Sequence, residues 1–337
     1  MTDVTLVACA KNEGPYLLEW IAYHRRLGFK EIVVYDNGST DGSARLLAGL
    51  AALGVITFRR QPDRPRRGPQ FYAYTDAVRC CRTEWVMFLD LDEYLVLERV
   101  STLPELLRRF DDEVSQVGFN WRVFGSSGRK EPGEGLIIER FLSASLPQQP
   151  VNAHLKSVTR CDRIALVNVH AAFLSEGIAV HPDETPVQFG KVHGISQEIR
   201  PAAGRVHHYA VKSEAEFLGK IARGRGTIAA GQPQKKRGNP AQLFKSLDLN
   251  DLHCPDLLAV APAIRADMAE LAARLEAAEA SPLFRLSRAL RQRWSGIGQR
   301  LRVPTARIAM KPGEQLRPSS EAAGKIGPFG RGRRKAP

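Results

Sequence analysis

The stretch Phe88-Leu89-Asp90-Leu91-Asp92-Glu93-Tyr94 decides how the rest of the chain is read. The apolar run over residues 85–89 predicts a buried strand, and it stops in three carboxylates within four residues. Crowded carboxylates repel one another and cost desolvation energy unless a cation or water relieves them. A hard divalent ion held by oxygen ligands is the natural relief. Taken alone, Asp-x-Asp is a short motif, and a solvated acidic turn is the plainer reading.

The preceding residues give this strand its context. Thr5-Leu6-Val7-Ala8-Cys9 predicts a first strand, broken by Lys11-Asn12-Glu13-Gly14. Pro15 suits a first helical turn. Leu17, Trp20, Ile21, His24 and Leu27 then recur at helical spacing. Strands are predicted over 31–35 and 55–58, and helices over 44–53 and 68–81, with the turn-rich loop Asp36-Asn37-Gly38-Ser39-Thr40-Asp41-Gly42-Ser43 after the second strand. Strands alternating with helices specify a parallel sheet with helices on both faces. In such sheets ligands bind beyond the carboxyl ends of the strands. Three polar clusters fall there: Asn12 with Glu13, Asp36 with Asn37, and Asp90 with Asp92 and Glu93.

At 337 residues, 43% of them hydrophobic, the chain can bury a full core. No apolar run reaches the roughly 18–20 residues of a membrane span. The N-terminus has no basic leader, and the five cysteines show neither metal-ligand spacing nor an even count. We therefore expect reduced thiols and a cytoplasmic location, with peripheral contact at the anionic inner face of the membrane. Twelve of the thirteen net positive charges lie in residues 282–337, which carry 14 Lys/Arg against 2 Asp/Glu. The remainder is nearly neutral, so the high pI does not mark it as a nucleic-acid binder.

The second half has a different rhythm. Strands are predicted over 117–124, 135–142, 154–160, 164–170 and 205–211. Ser213-Glu214-Ala215-Glu216 reads as a capping box opening a helix over 214–223. We place a linker at 231–255 and a helical extension at 256–303, where Ile264, Met268, Leu271 and Leu275 form a helical stripe. Leu283, Leu286 and Leu290, interleaved with arginines, form a basic amphipathic helix. Residues 304–337 are expected to be a disordered basic tail.

Together these stretches resemble the family 2-like glycosyltransferases of GT-A fold. The resemblance rests on Val7-Ala8-Cys9-Ala10-Lys11-Asn12-Glu13, the 34–43 loop and the Phe88–Tyr94 motif. It also rests on Trp121-Arg122-Val123-Phe124-Gly125, on Lys156-Ser157-Val158-Thr159-Arg160, and on His208-Tyr209-Ala210-Val211-Lys212-Ser213, followed by Lys220 and an Arg-Gly. It covers residues 3–226, and residues 1–230 are accordingly taken as one GT-A domain.

The resemblance implies a Rossmann-like α/β fold and transfer of a sugar from a nucleotide-sugar, UDP-linked, to a hydroxyl of a glycan, lipid-linked glycan or protein, with inversion. It implies Mn²⁺ or Mg²⁺ bound by Asp90 and Asp92, with Asp90 also facing the ribose. Asp36, Asn12 and Glu13 would hold the nucleoside; Asn37 stands where the family often has a second acid. His208 is the expected third metal ligand. His207 and His208 are adjacent and in a strand face opposite ways. Lys156, Arg160, Lys212, Lys220, Arg223 and Arg225 are candidates to offset phosphate charge. Inverting members of the resembled family use a carboxylate to deprotonate the acceptor; Glu93, Glu139 and Asp183 are the candidates. Trp121 is read either as a sugar-stacking face or as core. Two other classes stay open: nucleotidyl transfer on a similar sheet, and a non-catalytic module whose basic tail binds an anionic membrane or nucleic acid.

Overall fold

The predicted alternation is present, with ends shifted by a residue or two. The computed structural model describes residues 2–61, 68–224 and 239–294. Arg225, the start of the expected linker and the expected disordered tail lie outside the described residues. The first half runs β1 (Val4–Ala10), α1 (Gly14–Arg26), β2 (Glu31–Asp36), α2 (Ser43–Ala52), β3 (Thr57–Arg60), α3 (Pro69–Cys80) and β4 (Trp85–Phe88). β1 pairs parallel with β2 and β4, and β3 extends β2.

These strands are apolar on both faces because helices cover both. Leu6, Ala8, Ile32, Val34, Trp85 and Met87 point into one core with Leu17, Trp20 and Ile21 of α1 and Leu47 of α2. Their neighbours Val7, Val33, Tyr35, Val86 and Phe88 point the other way, onto Ala73, Tyr74 and Ala77 of α3. That is the period-two alternation of a strand sandwiched between helix layers.

The second half follows as β5 (Glu93–Leu97), α4 (Leu103–Leu107), β6 (Val114–Val123), α5 (Ile137–Arg140), β7 (Ser143–Ala144), β8 (Leu155–Arg160), β9 (Ile164–Leu166), β10 (Phe173–Leu174), β11 (Ile178–Val180) and β12 (Gly204–His208). Then come α6 (Glu214–Ala222), α7 (Pro240–Leu247), β13 (Leu252–His253), α8 (Ala261–Glu279) and α9 (Pro282–Trp294). Among the described residues the main sheet runs β3-β2-β1-β4-β8-β6-β12-β5, with β11 on β6. β8 is antiparallel to β4 and β6, and β5 to β12. The result is the mostly parallel, helix-covered α/β architecture of GT-A type. Among the described residues no helix is long and apolar enough to cross a membrane.

Three expectations change. The strand predicted over 135–142 is instead the single turn α5. Glu139 caps that turn by accepting the Leu136 N–H at 2.9 Å, and Glu19 of α1 accepts the Ile137 N–H at 2.8 Å. β5 is unforeseen in the sequence, because its first residue is charged and belongs to the acidic motif. The described part of the linker, residues 239–255, is built into the body. β13 pairs with β7, Asp248 accepts the Ser126 N–H at 2.6 Å, and Asn250 accepts the Ser127 N–H at 2.8 Å. The described part of the helical extension, residues 256–294, also packs on the body: Ile264 and Leu271 of α8 are fully buried, and Arg26 of α1 grips Asp267 through two bonds of 2.7 and 3.1 Å.

Two predictions follow from this packing. A Cβ on Gly125 would meet the Leu249 carbonyl at 2.6 Å. Gly125→Ala is therefore expected to cost about 1–3 kcal/mol by forcing the 248–250 segment outward, read as a lower midpoint in urea. His24 is fully buried among Trp20, Tyr23, Phe29 and Tyr94. Its Nδ1–H donates to the Trp20 carbonyl at 2.8 Å, and Nε2 faces the Leu95 N–H at 3.5 Å. Burial pushes its pKa down to about 3. A depressed folded pKa gives stability that is complete above the unfolded value near 6.5 and lost as pH falls toward the folded one. Unfolding free energies measured from pH 7 to pH 4 should therefore fall, and His24→Phe should flatten that slope.

Candidate active site

The acidic turn is held by its backbone before its side chains do anything. The Leu89 N–H donates to the Val7 carbonyl at 3.1 Å, which ends β4 level with β1. Trp20 Nε1 of α1 then donates to the carbonyls of Asp90 at 3.1 Å and Glu93 at 2.9 Å. The Asp90 N–H donates to Glu93 Oε2 at 2.9 Å. Asp36 ends β2 opposite Ala10 in register, so it lies at the same carboxyl edge. Its buried carboxylate accepts the Ser39 N–H at 3.2 Å and shapes the loop. Asn12, in a left-handed conformation at φ 53°, ties that loop to β1 by accepting the Thr40 N–H at 2.7 Å.

Each carboxylate of the turn is answered by a cation from the later half of the chain. Lys156 of β8 is fully buried, with Nζ 2.9 Å from Asp90 Oδ2 and 3.1 Å from Glu93 Oε2. Gln70 of α3 holds the other Asp90 oxygen at 2.7 Å. Lys220 of α6 donates to Asp92 Oδ2 and to the Ala210 carbonyl. One turn later Arg223 donates to the Asn12 carbonyl and to Glu13. Lys212, buried at φ 55°, lies over the Tyr16 ring at 4.3 Å. Burial works against ionisation of Asp92, but Lys220, His208 and Lys212 outweigh it and hold its carboxyl well below the usual range. Glu93 goes the other way. Burial pushes it up to about 8, with Lys156 opposing and Asp90 and Asp92 adding to the rise.

β12 delivers His208 opposite Glu93. Its Nε2 stands 3.8 Å from Asp92 Oδ1, and burial lowers its pKa to about 4, so the imidazole is neutral at pH 7. Its ring lies 4.3 Å from Trp121, which stacks on His154 at 4.6 Å with His170 edge-on at 5.3 Å. Four buried polar atoms here find no partner among the described residues: Glu13 Oε2, Glu93 Oε1, His208 Nδ1 and Trp121 Nε1. Buried polar atoms without a partner are uncommon in folded proteins, and these four leave donor and acceptor capacity unused at the site.

The model of glycosyltransferase family 92 matches residues 5–195, which takes in the β1 cluster, the 36–43 loop, the acidic turn and Lys156. The chain belongs to glycosyltransferase family 92. That family is distinct from family 2, to which the motifs were compared, so the resemblance holds for the enzyme class and not for the family. A glycosyltransferase family 92 protein of Oryza sativa subsp. japonica is 29% identical over 176 residues, covering 50% of this chain and 29% of the relative. A lipopolysaccharide core biosynthesis glycosyltransferase of Rhizobium meliloti (strain 1021) is 35% identical over 113 residues, 33% of this chain and 38% of that protein. The chain thus spans about a third of the length of the curated relatives it matches. Among solved structures, S. aureus TarS aligns with a TM-score of 0.32 at 17% identity, covering 50% of this chain and 30% of that one. Glucosyl-3-phosphoglycerate synthase from Mycobacterium tuberculosis, solved with Mn²⁺, UDP and glucosyl-3-phosphoglycerate, aligns at 0.30 and 13% identity, covering 57% and 73%.

In this family 92 chain the structure gathers Asn12, Glu13, Asp36, Asn37, Asp90, Asp92, Glu93, Lys156, His208 and Lys220 at one edge. Three expected residues lie elsewhere. Arg160 is at the opposite edge, in register with Trp85 at the start of β4; it pairs with Glu84 and donates to the Val114 carbonyl. Glu139 caps α5 and pairs with Arg265 of α8. Asp183 accepts the Thr185 hydroxyl at 2.5 Å and faces Arg200 at 3.6 Å. Of the three carboxylates named for the acceptor proton, Glu93 is the one that lies at this edge, and it is fully buried. Gln70 was missed; a polar residue within the buried face of α3, four before Tyr74, was the available signal. Among the described residues, His207, Cys254 and Asp256 lie close enough to hold an ion, but Arg205 fills that group, donating to His207 Nε2 at 3.1 Å and to Asp256.

Lys156 gives the sharpest stability test. Removing one member of a buried charge set strands the others, at about 3–5 kcal/mol. Lys156→Met should lose that much in chemical denaturation, and adding Glu93→Gln should restore part of it.

Proposed function

We propose that this chain transfers a sugar from a nucleotide-sugar, UDP-linked, to a hydroxyl of a glycan, lipid-linked glycan or protein, with a divalent cation and with inversion. The observation that carries the reading is the pairing of Asp92 Oδ1 with His208 Nε2, 3.8 Å apart, beside Asp90 and at the same sheet edge as Asp36. Membership of family 92 favours sugar transfer over nucleotidyl transfer, and Lys11 stands without the Gly-rich basic loop that a nucleoside triphosphate needs. The donor types suit a hard or borderline cation: Asp92 is held ionised, His208 is held neutral as a ligand must be, and Asp90 is 38% exposed. Asp90, Asp92 and His208 would hold Mn²⁺ or Mg²⁺, which would supply positive charge where the diphosphate departs.

The chain's own residues do the rest. Lys220 of α6 and Arg223, which caps the end of that helix, exchange Asp92 and Glu13 for phosphate oxygens. Lys212, whose pKa burial lowers, adds a third cation beside them. Asp36 and Asn37, with Asn12 positioning their loop, take the nucleoside. Lys156 and Gln70 fix Asp90, and Trp121 with His154 and His170 walls the pocket on the His208 side, where the acceptor enters. Asp92→Asn should retain the fold by circular dichroism, lose transfer from UDP-sugars by about 100-fold or more, and lose the Mn²⁺-dependent thermal shift given by UDP. Wild-type turnover in that variant removes the metal from the reading.

A further inference from the structure

α9 rests on α2 by one face and turns an apolar stripe to solvent. Leu283, Leu286 and Leu290 are 79%, 58% and 45% exposed, and at 3.6 residues per turn they fall within an arc of roughly 60°. Phe284, Ser287, Arg288 and Gln292 occupy the half-buried face. Arg288 reaches Glu279 at 2.8 Å, and its side chain lies near Gly49 of α2. The leucines are therefore not what attaches the helix to the body. Arg285 and Arg291, both exposed, lie on opposite sides of the stripe, roughly 100° and 80° around the helix from its nearest leucine. Residues 282–294 include four arginines and no acidic residue. An exposed leucine stripe edged by arginines is the pattern of a helix lying in a lipid interface, its apolar side chains at the acyl boundary and its guanidinium groups among headgroup phosphates.

We propose that this face of α9 docks on an anionic bilayer surface. Charge selects that occupant: an apolar partner alone would not call for arginines on both flanks of the stripe and none of the opposite sign. The position of the helix gives the docking a direction. Arg60, at the carboxyl end of β3, donates to the Gln292 carbonyl at 3.3 Å. The last turn of α9 thus reaches the sheet edge that carries Asp36 and Asp92, so docking lays that edge beside the bilayer.

The inference stands apart from the sugar-transfer reading, because vesicle binding is read without a donor. The full chain is sedimented with vesicles of phosphatidylglycerol and phosphatidylcholine, and with phosphatidylcholine alone, beside L283S/L286S/L290S, which leaves every arginine and the whole basic tail in place. The expected result is binding to the anionic vesicles only, weakened at least about fivefold in the triple variant, with unchanged thermal unfolding. Equal binding by both proteins overturns the proposal by assigning the attraction to the tail. Absence of binding to anionic vesicles overturns it as well, as does light scattering that shows a dimer abolished by the leucine changes without vesicle binding, which makes the occupant a second copy.

Discussion

Three acidic side chains must share the end of one buried strand, and everything around the pocket answers that repulsion. Water reaches Asp90, which is 38% exposed, but not Glu93, which is fully buried, and hardly Asp92. The fold brings positive groups instead, from β8 and from α6. Neither cation is close in sequence: Lys156 is 66 residues from Asp90, and Lys220 is 128 from Asp92. The second half of the chain is thus bound to the first by charge at the acidic turn.

The same arrangement explains why opposite ionisation states coexist within four residues. Asp92 has the Lys220 ammonium against one oxygen and Lys212 close by, so its charge is held. Glu93 shares Lys156 with Asp90 and has one oxygen with no partner among the described residues, so desolvation prevails. One carboxyl of the motif is thereby a charged group facing the pocket, and the next is a structural member beneath it.

The first half of the fold was legible because its signals are local. Apolar runs of strand length, helical spacing and Gly or Pro punctuation set β1 to β4 and α1 to α3, and the carboxyl-edge rule gathered the acidic clusters. The second half was less legible because its elements are short and made by long-range contacts. α5 forms because Glu19, 118 residues away, caps it, and β5 forms because β12 returns beside it. The same reason undid Arg160 and Glu139. Residue type suggested a role, but the edge of the sheet on which each side chain lies is decided by strand direction, and β8 runs antiparallel to β4. Lys156 and Arg160 sit four apart on one strand and end at opposite edges.

Lys220 and Arg223 are carried by a single short helix whose start is fixed by Glu216. That carboxylate accepts from Ser213, Tyr16 and both terminal nitrogens of Arg140. The two cations cannot drift independently. Over evolutionary time a change at 92 that leaves 220 untouched leaves a half-buried ammonium without its carboxylate, and a slip of the cap displaces two contacts together. Positions 13, 92, 140, 216, 220 and 223 should therefore be inherited as one linked set, and lineages that abandon one of them should show the others rewritten alongside it.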